Sequence, residues 1–488
     1  MKINNKILLL ALVLMLSLST CFASDNKKDD NANIKNIGNV VKKEEYPNSE
    51  NVAPVVNKQQ GEDTYVVEGS VEKNIDITLN ECIRFALGNN PKIRESMEDI
   101  IASDARVRQA WSNWFPQLNW QTGYTRIKQL QLADLLGSGG ARPYNYYVLG
   151  QISLSEMLYD FGVTQNKVTI QKLERDAYKI NLTSTINDVI MNVKNDYYNL
   201  LYAYDRRDVA EDTVKKFEMF YNQAKAFYEI GTNPKVDVTI AEVNLSNAKL
   251  ELIQANNAVD VAVAKLNNSI GLPYKTQYNV RERLQYYPVT VTLDEAVSIA
   301  EKSRPDLLIL GKKVEAAKQN WKLAKKAYYP NISVEGQVAV GGKTPTSTYG
   351  YNLGGYLNFP TVNGMLIKNQ IKEARASYDR EMARAESSRN NIFLEIQQAY
   401  YTLDEKKSQI PVAFLNVKKA KENYELSYGR YKVGVGNPTE LKDAQVSYQN
   451  AQLSYYNTLY QYNSARAKLE KAIGRNLVDK DMVINLEK

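Results

Sequence analysis

Histidine is absent from all 488 residues. The commonest general base, nucleophile activator and zinc ligand is therefore missing. No catalytic motif built on Ser, Cys, Lys or carboxylates takes its place, so the chain is read as a non-enzyme, with no metal and no cofactor expected. Cysteine is nearly absent too, present only as Cys21 and Cys82. Loss of a leader that includes Cys21 would leave one thiol, which excludes an intrachain disulfide framework. Beyond the first twenty residues, no segment approaches the ~18 uncharged apolar residues of a membrane helix. If the mature chain enters a membrane, it must do so as a barrel. An excess of charge of one sign is also missing. The 62 basic and 55 acidic residues leave a net +7 spread along the chain, without the clustering of a nucleic-acid footprint.

The N-terminus has Lys2 and Lys6 followed by an apolar run from Ile7 to about Ser19. That is signal-peptide form, with cleavage after Ala23. A lipobox at Leu18-Ser19-Thr20-Cys21 is the rival reading. Residues 24–75 are rich in Asn, Lys, Asp and Glu and read as a disordered or extended leader.

From there the chain states one pattern twice. Leu79, Glu81, Pro91, Ala102, Ala110 and Pro116 recur 214 residues later as Leu293, Glu295, Pro305, Ala316, Ala324 and Pro330. Tyr228, Gly231, Ala241, Ala248, Lys265, Leu266 and Gly271 recur 203 residues later as Tyr431, Gly434, Ala444, Ala451, Lys468, Leu469 and Gly474. The second copy is thus eleven residues shorter in its middle. A period this long marks a duplicated half-domain rather than a solenoid. The first repeat spans 76–275, a linker 276–292, the second repeat 293–476 and a tail 477–488. Cys82 falls where the second copy has Ala296, so it reads as a small packing residue.

Each copy reads as helix, two strands, very long helix, turn, helix. The TLNE at Thr78–Glu81 is a helix-start signature. The strands are expected at about 116–127, 144–156, 330–341 and 349–360, where the period changes to two. In the second copy Ile332, Val334, Val338 and Val340 oppose Asn331, Ser333, Glu335 and Gln337. Each segment is near the ~9–11 residues of a membrane strand, although a soluble hairpin packed on helices has the same pattern. The helices expected at about 164–229 and 364–432 break the tie. Some 65 residues at ~1.5 Å each make a rod of roughly 100 Å, which has no place in a compact globule. Residues such as Ala374, Tyr378, Met382 and Ala385 suggest a coiled-coil-like seam. Four strands cannot close a membrane barrel, and open edges are not tolerated in lipid. The barrel must therefore be shared. Two chains would give eight strands and a filled interior, three would give twelve and an open lumen.

These residues together resemble the TolC-like outer-membrane efflux proteins. The resemblance covers about 78–475. It rests on the duplicated plan, the TLNEC and TLDEA openings with Asn90-Pro91 and Arg304-Pro305, the entries Phe115-Pro116 and Tyr329-Pro330, and the turns YEIGTNPKVDV and YKVGVGNPTEL. It implies a mainly helical fold with a membrane β-barrel: a homotrimeric twelve-stranded barrel in outer-membrane lipid, continued by a periplasmic α-helical barrel. It also implies passive, gated conduction as the exit channel of a tripartite efflux or type I secretion system. A periplasmic adaptor protein would join it to an inner-membrane pump.

Locally, Gly231 and Gly434 end long helices in left-handed caps, and Asn233-Pro234 and Asn437-Pro438 start the next helices as N-cap and N1. The resemblance makes these turns the periplasmic tips that dock the adaptor. It places acidic rings of the constriction at Glu440 and Asp443, while Glu440 is equally spaced for a capping box with Asn437. It aligns a tip-closing bond with Tyr431 and Asp237. The arginine that assists closure in the best-known member aligns with Gly436. The alternatives from other classes are a periplasmic coiled-coil adaptor, which would lack two matched strand pairs, and a hydrolase, which would need a nucleophile motif.

Overall fold

Two short helices, a β-hairpin and a long helical hairpin are built twice. In this computed structural model the first copy comprises α1 (Leu79–Asn89), α2 (Pro91–Trp111), β1 (Gln117–Lys128), β2 (Asn145–Tyr159), α3 (Val163–Glu229) and α4 (Lys235–Ile270). The second comprises α5 (Leu293–Ser303), α6 (Pro305–Lys326), β3 (Asn331–Gly342), β4 (Thr348–Asn358), α7 (Leu366–Lys432) and α8 (Pro438–Ile473). The structure describes residues 77–128, 145–232, 234–273, 276, 278–280, 282–342, 348–360 and 364–475. The signal peptide, leader and tail expected from the sequence lie outside the described residues. Apart from Phe115–Gln117, the described residues belong to one compact unit.

The offset of 214 holds from α1 to the start of β1, and 203 holds from the start of β2 to the end of α4. The eleven-residue difference therefore falls wholly between the hairpin strands, where 129–144 connects the first pair and 343–347 the second.

Capping explains the starts. Thr78 and Glu81 form a full capping box on α1, and Thr292 and Glu295 repeat it on α5. The helix breaks at Asn90-Pro91 and Arg304-Pro305 have a packing role. A residue before proline is held extended, and Asn90 (ψ 123°) and Arg304 (ψ 118°) are so held. Each then donates to the open C-terminal carbonyls of the returning helix. Asn90 Nδ2 donates to Ser269 O at 2.8 Å, and Arg304 Nη1 donates to Ala472 O at 2.9 Å. The returning helices end in left-handed Gly271 and Gly474. A Cβ on Gly271 would stand 2.8 Å from Asn89 O, and one on Gly474 would stand 3.0 Å from Ser303 O. Short and returning helices thus abut end to end in both copies.

α3 and α7 have 67 residues each, about 100 Å at ~1.5 Å per residue. α7 continues through Pro411. On its seam Ala374, Tyr378 and Ala385 are half-buried, but Met382 lies one position off the stripe and is exposed, with Glu381 taking the inward place. Cys82 is fully buried, as is Ala296 at the matching position. Burial pushes the Cys82 thiol up to about 12, so it is an inert packing group.

The linker straps the copies together. Tyr197 of α3 donates to Glu282, Arg283 pairs with Asp205 and Asp208, and Tyr462 and Asn463 of α8 donate to the carbonyls of Tyr287 and Gln285. Burial raises the Asp205 carboxyl to about 6 against the opposing pull of Arg283. The raised value means that the folded chain holds the Asp205 proton more tightly than the unfolded chain. Its contribution is therefore fully present below pH ~4 and lost as pH rises through about 6, on the order of 1–3 kcal/mol. Asp205→Asn is expected to remove that slope, read as the difference in thermal midpoint between pH 7.5 and pH 5 in detergent.

The strands form one sheet in the order β1-β2-β3-β4, and β2/β3 and β3/β4 are antiparallel. The register keeps like with like. Gly336 faces Leu353, Val338 faces Tyr351 and Val340 faces Tyr349, while Gln337 faces Asn352 and Asn331 faces Asn358. On the polar face Gln337 donates to Gln151 at 2.7 Å and Gln151 to Gln121 at 2.8 Å, an amide ladder over three strands. The apolar face is bare, with Trp120 at 80% and Tyr349, Tyr351 and Leu353 each at 71% exposure. Asp160 joins sheet to helix, accepting from Gly162 N and Thr164 N at the start of α3.

Candidate gate and docking tips

The long helices carry their turns about 100 Å along from the sheet. In the first turn Gly231 (φ 79°) donates to Tyr228 O and Thr232 N to Phe227 O. In the second, Gly434 (φ 79°) donates to Tyr431 O, and Val435 N and Gly436 N both donate to Arg430 O. The glycines hold the left-handed position because a side chain there is strained.

The next helices start differently from expectation. Pro438 is at N1 of α8, and Asn437 caps it, its Oδ1 accepting from Thr439 N at 2.8 Å. In the first copy Pro234 is itself the N-cap of α4 and offers no side-chain cap, rather than standing at N1. The reason is register. The 203 offset runs unbroken through the tip, so Pro234 takes the place of Asn437, and the Asn-Pro pair comes one residue early. Asn233 lies outside the described residues.

The capping-box reading of Glu440 also gives way. Glu440 Oε1 receives Arg430 Nη1 at 3.0 Å across the turn, joining α7 to α8. Asp443 stands 3.5 Å from Lys442. Each carboxylate of the expected constriction thus has a cation beside it. Asp443 also edges a shallow groove of about 410 Å³ with Asn416, Val446, Ser447 and Asn450. A Cβ at Gly436 would sit 2.6 Å from Tyr431 N, so this turn has no room for an arginine there.

Tyr431 is 4% exposed and packs edge-on to Phe227 at 6.1 Å. Burial first, and the charge of Asp237 second, push its phenol above the ordinary value. Tyr431 therefore keeps its proton, and Asp237, in the first turn of α4, is near enough for its charge to act on it. Behind the tips lies an aromatic core. Phe217 and Phe220 of α3, Tyr424 and Tyr431 of α7, Leu441 and Ala444 of α8, and Leu245 and Ala248 of α4 are buried together. Lys216 lies over the rings of Tyr424 at 4.9 Å and Tyr448 at 4.7 Å. Sequence reasoning missed Arg430, Lys442 and Lys216. Arg430 had a usable signal: it lies ten residues before Glu440 across a tight turn, which brings the two face to face.

Residues 82–272 and 296–475 match the family described as outer membrane efflux protein. The chain belongs to that family. Membership places it in the outer membrane, as an exit channel for efflux, in a family of passive channels rather than enzymes. The outer membrane protein TolC of Salmonella enteritidis is 20% identical over 401 residues, covering 79% of each chain. The probable efflux pump outer membrane protein SepC of Pseudomonas putida is 24% identical over 423 residues, covering 82% of this chain and 83% of that one. Among solved structures, the Campylobacter jejuni CmeC outer membrane channel matches with TM-score 0.70 at 18% identity, over 88% of this chain and 96% of that one. The open-state Neisseria gonorrhoeae MtrE channel matches with TM-score 0.65 at 20% identity, over 82% and 89%. The fold, a helical barrel with a β-barrel, is that of the family.

Proposed function

We propose that three copies of this chain form one gated duct that receives cargo from an inner-membrane pump through a periplasmic adaptor. The observation that carries the reading is the four-stranded sheet, whose edges are β1 and β4 and whose apolar face is bare. Four strands cannot close in lipid, while three sets make twelve and leave a lumen. The polar face with its Gln121–Gln151–Gln337 ladder would then line the lumen. Exposed apolar stripes on the helices favour the same assembly. On α4 they are Val236, Ile240, Val243, Leu250 and Ile253; on α7 Val412, Leu415 and Leu426 are exposed, and Val433 follows at its C-cap. A neighbouring copy would cover both. Gly231, Asn233, Pro234, Gly434, Asn437 and Pro438 form the tips in this proposal and dock the adaptor. Tyr431 with Asp237 latches the gate, and Glu440 with Asp443 narrows it.

The expected result is a trimer by light scattering in mild detergent that conducts ions in a planar bilayer. A folded monomer without conductance would remove the reading. Tyr431→Phe, which takes away the latch hydroxyl, is expected to raise the open probability of single channels.

A further inference from the structure

We infer that Arg430 sets the charge of the constriction by neutralising Glu440 from within the same chain. The inference rests on the gate proposed above and adds a selectivity-determining residue to it. Arg430 is the third residue from the C-terminus of α7, and Glu440 lies in the first turn of α8. The turn between them brings Nη1 to 3.0 Å from Oε1. The turn's geometry fixes that approach at the backbone, because Arg430 O accepts from both Val435 N and Gly436 N. Gly436 packs so close to Tyr431 that no side chain can enter between the two helix ends there.

The pair is worth little as a stabilising bond, since both partners are exposed at 59% and 43%. Its consequence is electrostatic. From 430 to 443 the charged residues are Arg430, Lys432, Lys442, Glu440 and Asp443, so the segment carries three cations against two carboxylates. Lys442 stands beside Asp443 as Arg430 stands beside Glu440. With Lys432 set apart, each carboxylate has one cation beside it, so the ring that three copies would form is a compensated one. Its preference for cations is set by how far each cation stands from its carboxylate. Removing Arg430 frees one carboxylate per chain, three per ring, and attraction for a multivalent cation scales with that charge.

The test is block of single trimeric channels by hexaamminecobalt(III) added on the periplasmic side. Arg430→Gln is expected to lower the blocking concentration about tenfold and to raise cation over anion permeability. Arg430→Lys keeps the charge and is expected to behave as wild type. Arg430→Gln with Glu440→Gln is expected to block at or above the wild-type concentration. If Arg430→Gln leaves block unchanged while Glu440→Gln weakens it, the arginine inference falls and the gate stands. If neither Glu440→Gln nor Asp443→Asn changes block, the gate reading falls and the inference with it.

Discussion

Replacing Glu440 and Asp443 together by alanine is expected to weaken block by a trivalent cation by roughly ten- to a hundredfold. The two residues are three apart on α8 and share nearby parts of one face. Three copies would bring six carboxylates to one axis. At ~6 Å in water each attracts a triply charged ion by on the order of 2 kcal/mol, roughly halved by physiological salt. The cations at 3.0 Å and 3.5 Å offset part of this, so the expected loss is well short of the full sum. Neither side chain is needed for folding: Asn437 caps α8 without Glu440, and Asp443 is exposed. The double variant should therefore form normal trimers. Equal block in variant and wild type would show that these carboxylates serve the surface, and that the constriction lies elsewhere along the duct.

The architecture was largely legible because each of its parts obeys a period. The strands alternate because one face is apolar and bare and the other carries Gln121, Gln151, Gln337 and Asn352. The long helices announce themselves by length alone. Capping boxes at Thr78 and Thr292 fix where α1 and α5 start. What stayed hidden depends on contacts across turns and between distant segments. The role of Asn90 and Arg304 as caps for another helix's end needs the helices stacked, and no local pattern reveals it. The Asn-Pro pair of the first tip misled because the motif is displaced by one residue while the helices keep their register. Glu440 had a suitable capping partner in sequence and a better one, Arg430, in space. Charges at the tip could be counted from the sequence, but their pairing could not.

Gly271→Val is expected to abolish most folded trimer, while Gly434→Val leaves it near wild-type levels. The two glycines have nearly the same backbone, φ 81° and φ 79°. A branched residue in that left-handed position costs about 1–2 kcal/mol at either site. Their surroundings differ. Nothing lies within 4 Å of a Cβ at 434, whereas one at 271 meets Asn89 O at 2.8 Å and Asn89 C at 3.0 Å. Those are backbone atoms at the break between α1 and α2, held by the bond from Asn90 to Ser269 O. They cannot swing aside as a side chain would, so the clash adds about 1–3 kcal/mol and forces the helix ends apart. Against a net stability of ~5–15 kcal/mol, the sum is a large loss. Heat-resistant trimer on a detergent gel measures it directly. Gly434→Val carries the second half of the argument. Its strain is local to the tip that would dock the adaptor, so export should fail although the trimer is intact, seen as greater sensitivity of cells to exported compounds. Full export by Gly434→Val would reduce the tip to a structural turn. Equal trimer loss in both variants would show that backbone strain, rather than the end-to-end stacking of α1, α2 and α4, sets the tolerance at both glycines.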